Sequence, residues 1–216
     1  MTPNREDYLK LILELGGDQQ QINNKQIVSG LNVSAASVSE MITKLVKEQL
    51  VTHTRYQGVQ LTQEGLEKAS ALIRRHRLWE VFLVEHLNYS WNEVHDDAEV
   101  LEHVTSSTLV SRLERYLNYP KYCPHGGMIP RESETIHEIK RDSLASYPLG
   151  TTIKIARVLD EHELLEYLVS LDLQLHEEYE IVDIAAYEGP ITIQNNKKKV
   201  AISYKAATNI FVDLLS

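Results

Sequence analysis

Apolar positions recur at helical spacing through the first half of the chain and alternate through the last third. Over 4–15, Tyr8, Leu11, Ile12 and Leu15 fall three or four apart, and Gly16-Gly17 closes the run. A shorter helix is predicted over about 23–29, with Ile27 and Val28 apolar and Gly30 at its end. Leu31-Asn32-Val33 reads as a turn. Ser34 then caps a third helix through about Glu48, with Val38, Met41, Ile42 and Leu45 on its buried side. Two short strands, Leu50–Thr54 and Val59–Leu61, flank Tyr56-Gln57-Gly58. A long helix is predicted over 63–87, then helices over 92–105 and 107–117, the second burying Leu109, Val110, Leu113 and Leu117.

Helix, helix, turn, helix and two-stranded hairpin is the order of a winged helix-turn-helix. The string Leu31, Val33-Ser34, Ser37-Val38-Ser39, Ile42, Leu45, Leu50-Val51 supports it. Small and hydroxyl residues opening the third helix let backbone approach a groove closely. A generic three-helix core is the competing reading. A loop rich in Pro and Gly covers Tyr119–Arg131, and 132–145 reads as a linker with a helical turn. From Pro148 the pattern turns to strands: Thr152–Val158, Tyr179–Ala185, Ile191–Ile193 and Val200–Ser203, the last two joined at Asn195-Asn196. Glu161–Leu171 is a short helix between them. The fold class is therefore mainly α with a small β domain: a winged helix-turn-helix at 1–72, a helical domain at 73–140, and an SH3-like barrel at 146–216.

Charge alters this picture. The net charge is −9, a sign that opposes binding to nucleic acid. Yet residues 1–77 carry 10 Lys/Arg against 8 Asp/Glu, and the remainder 12 against 23. A mildly basic head on an acidic body suits a protein that needs added cations before it meets phosphates, although solubility alone would also account for it. No apolar run reaches the roughly 18–20 residues needed to span a bilayer. The segment MTPNREDYLK lacks the apolar core of a secretory signal, so the expectation is cytoplasmic, with no membrane partner. Cys123 is the single cysteine, so no disulfide framework exists.

Candidate chemistry is densest in VHDDAEVLEHV, residues 94–104. At about 100° per residue, His95, Glu99, Glu102 and His103 share one arc. Such a stripe repels itself unless a cation sits on it; a solvated acidic face is the competing reading. His76 and Glu80 lie one turn apart on the long helix, where both could point at one ion. Asp7 sits at the edge of the first helix. Cys123 and His125, two apart in a Pro/Gly-restrained loop, can share an ion, with Glu80 a third ligand and Asp160 a fourth.

Together these residues resemble the diphtheria toxin repressor family, specifically its manganese-responsive branch. The resemblance spans nearly the whole chain and is carried by VSAASVSEMITKL, RRHRLWEVFL, VHDDAEVLEHV and the CPHG…IP loop. It implies a homodimeric, metal-dependent repressor of metal-uptake and homeostasis genes that binds operator DNA through a winged helix, not an enzyme. It implies a primary metal site of Asp7, His76, Glu99, Glu102 and His103, filled by Mn(II) or, as the alternative, Fe(II). The iron-responsive branch places a soft Met or Cys where Asp7 and Glu99 stand. The shorter manganese regulators carry a Glu where this chain has Lys10, so a two-metal cluster of their type is not expected. The second ion is expected at Glu80, Cys123, His125 and Asp160, where Zn(II) is a further candidate. The role of His95, ligand or support, stays open. The family pattern turns Ser34, Ala36, Ser37, Ser39 and Glu40 towards DNA, with Lys44, Arg55, Tyr56 and Gln57 on its backbone.

Two other functions compete. A winged-helix regulator sensing a small organic ligand needs a large apolar pocket; the expectation is no such ligand. A metallohydrolase would need a motif such as HExxH, a nucleophile elbow or a phosphate loop, and the sequence has none.

Overall fold

A computed structural model describes residues 2–136 and 141–215. Two compact units divide it: the described parts of Met1–Trp79, Ala98–Lys121 and Ile129–His137 form one, and those of Glu80–Asp97, Tyr122–Met128 and Glu138–Ser216 the other.

In the first unit, α1 (Pro3–Glu14), α2 (Asn24–Leu31) and α3 (Ala35–Lys47) precede a hairpin of β1 (Val51–Thr54) and β2 (Gly58–Leu61). Each helix start has a local cause. Pro3 opens α1 where no N–H is needed. Asn23 and Gln26 form a reciprocal capping box on α2. The Ser34 hydroxyl accepts the Ser37 N–H at the start of α3. α2 runs one residue past Gly30, where the sequence pattern ends it, because Asn32 supplies the left-handed cap with φ 51°. Leu9, Ile12, Ile27, Val38, Leu45 and Val59 are almost wholly buried in one core. Gly58 pairs the wing with the head: Val59 and Ile22 exchange both backbone hydrogen bonds, at 2.7 and 2.9 Å, and a Cβ on Gly58 would lie 2.2 Å from the Ile22 carbonyl.

The first unit also holds α4 (Gln63–Leu87) as far as Trp79, α5 (Val94–Val104) from Ala98, and α6 (Ser107–Tyr116). On α6, Val110 and Leu113 are buried in the single chain, and Leu109 is 45% exposed. Val100, Val104 and Tyr116 are also exposed. The strand of linker before residue 137 is not loose. Ile136 is buried in the winged-helix core, and its N–H donates to Ser70 Oγ at 3.0 Å.

The second unit is a five-stranded antiparallel sheet in the order β6-β5-β4-β3-β7. Its strands are β3 (Thr152–Val158), β4 (Glu178–Ile184), β5 (Ile191–Gln194), β6 (Lys199–Ile202) and β7 (Ile210–Leu214), with α7 (His162–Ser170) and the one-turn α8 (Tyr204–Ala207) between them. Alternate positions such as Ile153, Ile155, Tyr179, Ile181, Ile191 and Ile193 point into a core closed by Leu165 and Leu168 of α7. The sequence pattern misses β7 and α8. Among the described residues no helix is long and apolar enough to cross a membrane.

Candidate metal centre and DNA-facing surface

α1 and α5 bring the first group together. Glu99, Glu102 and His103 lie three and four apart on α5, and Asp7 comes from the first turns of α1. One ligand atom from each of Asp7, Glu99, Glu102 and His103 lies within 4.8 Å of all the others, a spacing that could hold a metal ion. His103 Nε2 is 2.9 Å from Asp7 Oδ1 and 3.5 Å from Glu102 Oε1. Burial pushes the Asp7 carboxyl above its ordinary range, and neighbouring Glu99 and Glu102 add to the push against His103. Glu102 is fully buried. Three carboxylates this close are the signature of a place that takes positive charge.

Two residues outside the predicted set complete the group. Glu6 lies 2.7 Å from His103 Nδ1 and accepts from Arg75 at 3.2 Å. It orients the His103 ring and leaves Nε2 facing Asp7, the role an outer carboxylate plays at a metal-ligating histidine. Its sequence signal was only an acidic residue beside Asp7. Lys10 lies inside the group. Its Nζ donates to Glu99 Oε2 at 2.6 Å and to Glu102 Oε2 and Oε1 at 3.1 and 3.3 Å, and lies 3.1 Å from His76 Nδ1. Burial alone would lower the Lys10 pKa; Glu102, Glu14 and Glu99 overcome it and hold the ammonium charged. His76 is 2.6 Å from Glu102 and 3.6 Å from Glu99, so it joins the group from the Lys10 side.

His76 and Glu80, one turn apart on α4, fall in different groups of ligand-type side chains. Glu80 instead groups with Cys123 and His125, all three buried. His125 Nδ1 is 2.8 Å from Glu80 Oε1 and 3.6 Å from Asp160 Oδ1. Its Nε2–H donates to the Trp91 carbonyl at 2.6 Å, which fixes the ring. Asp160 borders this group, and His95 Nδ1 lies 2.9 Å from its other oxygen. His95 thus supports Asp160. Burial would lower the His125 pKa, but Glu80, Cys123 and Asp160 prevail and it is pushed up to about 12. The loop is shaped by Gly126, whose φ of +82° and approach to the Ala156 carbonyl, 2.2 Å from a would-be Cβ, exclude any side chain.

In the first unit, Ser34, Ala36, Ser37, Ser39, Glu40 and Lys44 of α3 and its cap are exposed, as are Arg55, Tyr56 and Gln57 at the wing tip. Glu40 is paired with Lys44 at 2.7 Å, and Arg55 lies over the Tyr56 ring at 4.7 Å. Their exposure leaves them available to a duplex.

Comparison with known proteins finds likenesses along nearly the whole chain. Residues 1–59 match the family model of the iron dependent repressor N-terminal DNA binding domain. Residues 62–131 match that of its metal binding and dimerisation domain, and 143–214 the FeoA domain. Among solved structures, the manganese regulator SloR is 41% identical over the full length of both chains, with a TM-score of 0.88. A manganese-dependent transcriptional repressor in complex with manganese is 35% identical, covering 98% of this chain and 100% of that one, also at 0.88. The HTH-type transcriptional regulator MntR of Oceanobacillus iheyensis is 33% identical over 56% of this chain and 81% of its own length. The diphtheria toxin repressor of Corynebacterium diphtheriae is 28% identical over 100% of this chain and 99% of its own. A 44% match to a probable metal transport system membrane protein of Chlamydia trachomatis covers 41% of this chain and 20% of that relative.

Proposed function

The chain belongs to the iron-dependent repressor family, whose members are DNA-binding metalloregulators and not enzymes, and on that premise we propose that it is a manganese-responsive, cytoplasmic, homodimeric repressor of metal-uptake and homeostasis genes. The observation that carries this reading is the Asp7–Glu99–Glu102–His103 group, in which one side chain from α1 meets three from α5. Carboxylate oxygens and one imidazole suit Mn(II), a hard ion, better than a softer metal. We assign Asp7, Glu99, Glu102 and His103 as its ligands, with His76 at the edge of the centre. The buried Glu80–Cys123–His125 group, with Asp160 beside it, is assigned a second divalent ion, and its thiolate also admits Zn(II).

Bound Mn(II) supplies the positive charge that makes it favourable for these carboxylates to stay together. Asp7 then holds α1, the first helix of the reading head, to α5. Glu6 keeps His103 turned inward throughout. The operator is read by Ser34, Ala36, Ser37, Ser39 and Glu40, with Lys44, Arg55, Tyr56 and Gln57 at the backbone. Two heads meet two half-sites through a dimer seam to which the exposed Val100, Val104, Leu109 and Tyr116 contribute. Linkage requires the ion to bind the DNA-competent arrangement better than the alternative.

Mobility-shift titrations across a metal series at fixed salt test the reading. Mn(II) should strengthen operator binding at least about tenfold over metal-free protein. Equal binding with and without metal would refute it. The wing gives a second expected result. Arg55→Ala should weaken binding to all sequences alike and lower the slope of log affinity against log salt by about 0.9. A change confined to one base position would instead place Arg55 on a base edge.

A further inference from the structure

Within the first unit, α4, α6 and the segment 131–134 enclose a cavity of about 470 Å³, inside the roughly 300–1,000 Å³ range of small-molecule sites. Its lining is graded by charge. Arg74 is buried and Arg75 and Arg131 are half-buried, whereas Glu67, Glu132 and Glu134 are exposed. Guanidiniums therefore make the floor and carboxylates the rim. The floor has donors left over. Arg74 and Arg131 share the one Glu114 carboxylate, at 2.7 and 2.8 Å, and Arg75 donates through Nη2 to Glu6 at 3.2 Å. The buried Nε–H groups of Arg74 and Arg75 have no hydrogen-bond partner among the described residues, and buried donors in that state are rare. Three guanidiniums set against two carboxylates leave one positive charge for an incoming acid. At the rim, each carboxylate engages one oxygen locally: Glu67 with Gln63, Glu132 with Ser111, and Glu134 with the Arg131 N–H. A plain anion would meet the rim carboxylates, and a plain cation would meet the floor. We propose that this cavity binds a small organic zwitterion, with a carboxylate and an amine at opposite ends of a short apolar chain, and that its occupancy is linked to the Asp7 centre through Arg75.

Arg75 belongs to both places. It lines the cavity, and its Nη2 holds Glu6, which in turn lies 2.7 Å from His103 Nδ1. A carboxylate bound on the floor competes with Glu6 for that guanidinium. Glu6 is then anchored less firmly, the His103 ring is held less firmly towards Asp7, and an ion at the centre binds more weakly. The effect is reciprocal: bound Mn(II) weakens the zwitterion by the same factor. The zwitterion thus opposes the metal. The cavity is charged, unlike the large apolar pocket of a regulator that senses an organic ligand in place of a metal.

The linkage rests on reading the Asp7 group as a metal centre; the cavity does not, and the experiment keeps the two apart. Calorimetry on the full chain in EDTA uses three probes: 6-aminohexanoate, which carries both groups, hexanoate, which lacks the amine, and hexylamine, which lacks the acid. 6-Aminohexanoate should bind with a Kd of about 1 mM or tighter, and the other two at least about tenfold more weakly. The double variant Glu132→Gln, Glu134→Gln changes only exposed side chains and should weaken 6-aminohexanoate at least about fivefold. In a second titration without EDTA, saturating 6-aminohexanoate should weaken Mn(II) at least about fivefold, and Arg75→Gln should remove that difference. No binding of 6-aminohexanoate, hexanoate binding as tightly, or an unchanged affinity in the rim variant overturns the zwitterion site. Binding that leaves Mn(II) affinity unmoved, or a difference that survives Arg75→Gln, overturns the linkage. Mn(II) uptake that Asp7→Ala leaves intact overturns the metal centre and the linkage with it, while the titrations in EDTA still decide the cavity.

Discussion

Asp7→Ala should abolish Mn(II)-stimulated operator binding while leaving the chain folded and dimeric. Within the proposed ligand group, Asp7 alone comes from α1; Glu99, Glu102 and His103 all lie on α5. Removing it leaves an ion that can still touch α5 but no longer ties the reading head to it. The side chain is 32% exposed, so truncation opens no cavity in the core. Loss of a direct ligand should weaken Mn(II) at this centre by more than the 10–100-fold typical of outer-shell changes. Operator affinity should then become indifferent to added Mn(II). His103→Ala should do the same, and Glu6→Gln should fall between, since it loosens the ring without deleting a ligand. Calorimetry and mobility shifts on the same preparations check the result. A retained Mn(II) response in Asp7→Ala would end the argument that α1 is held through this residue.

The second large effect is on stability. Glu114 on α6 is buried, accepts from Arg74 at 2.7 Å through one oxygen and from Arg131 at 2.8 Å through the other. Arg74 is itself buried, whereas Arg131 is about one-third exposed and can turn to water. Glu114→Ala strands the Arg74 charge, and the loss should be about 3–5 kcal/mol. The pair also sets a pH dependence. Burial alone would raise the Glu114 pKa, but hydrogen bonds from Arg131 and Arg74 hold it below the usual carboxylate value of 4.5. A carboxyl depressed in the folded state adds stability that is present above its unfolded pKa and lost as pH falls through its folded one. Urea melts of the unmutated chain should therefore weaken below about pH 4.5, and Glu114→Ala should lack that part of the acid limb. A destabilisation below about 1 kcal/mol at pH 7 would show that Arg74 finds another counter-charge.

The helices and wing of the reading head were legible because their signals are local. Asn23, Ser34 and Asn32 stop and start helices within a few residues of themselves. The α5 stripe was legible because i, i+3 and i+4 spacing fixes which side chains share an arc. What the sequence hides is decided across the fold. Ile210–Leu214 is a strand because it pairs with β3, more than fifty residues earlier. Leu109 looks like a buried helix position, yet its exposure depends on what lies beside α6. His76 and Glu80 share a helical stripe, but the roughly 40° between them suffices to send them to different partners. Lys10 was visible only as a departure from the Glu of the shorter manganese regulators; that its ammonium lies against Glu99 and Glu102 follows from where α1 packs.

Ile136 has a consequence for anyone dissecting this protein. A fragment ending at residue 72 would hold every predicted base-reading side chain and still lack one of its own core residues. The slot that Ile136 fills beside Ser70 would be open, at a cost of roughly 2–5 kcal/mol if it behaves like a deleted aliphatic side chain. The smallest autonomous reading head is therefore discontinuous in sequence, and excising it requires keeping, or rejoining, the stretch that carries residue 136.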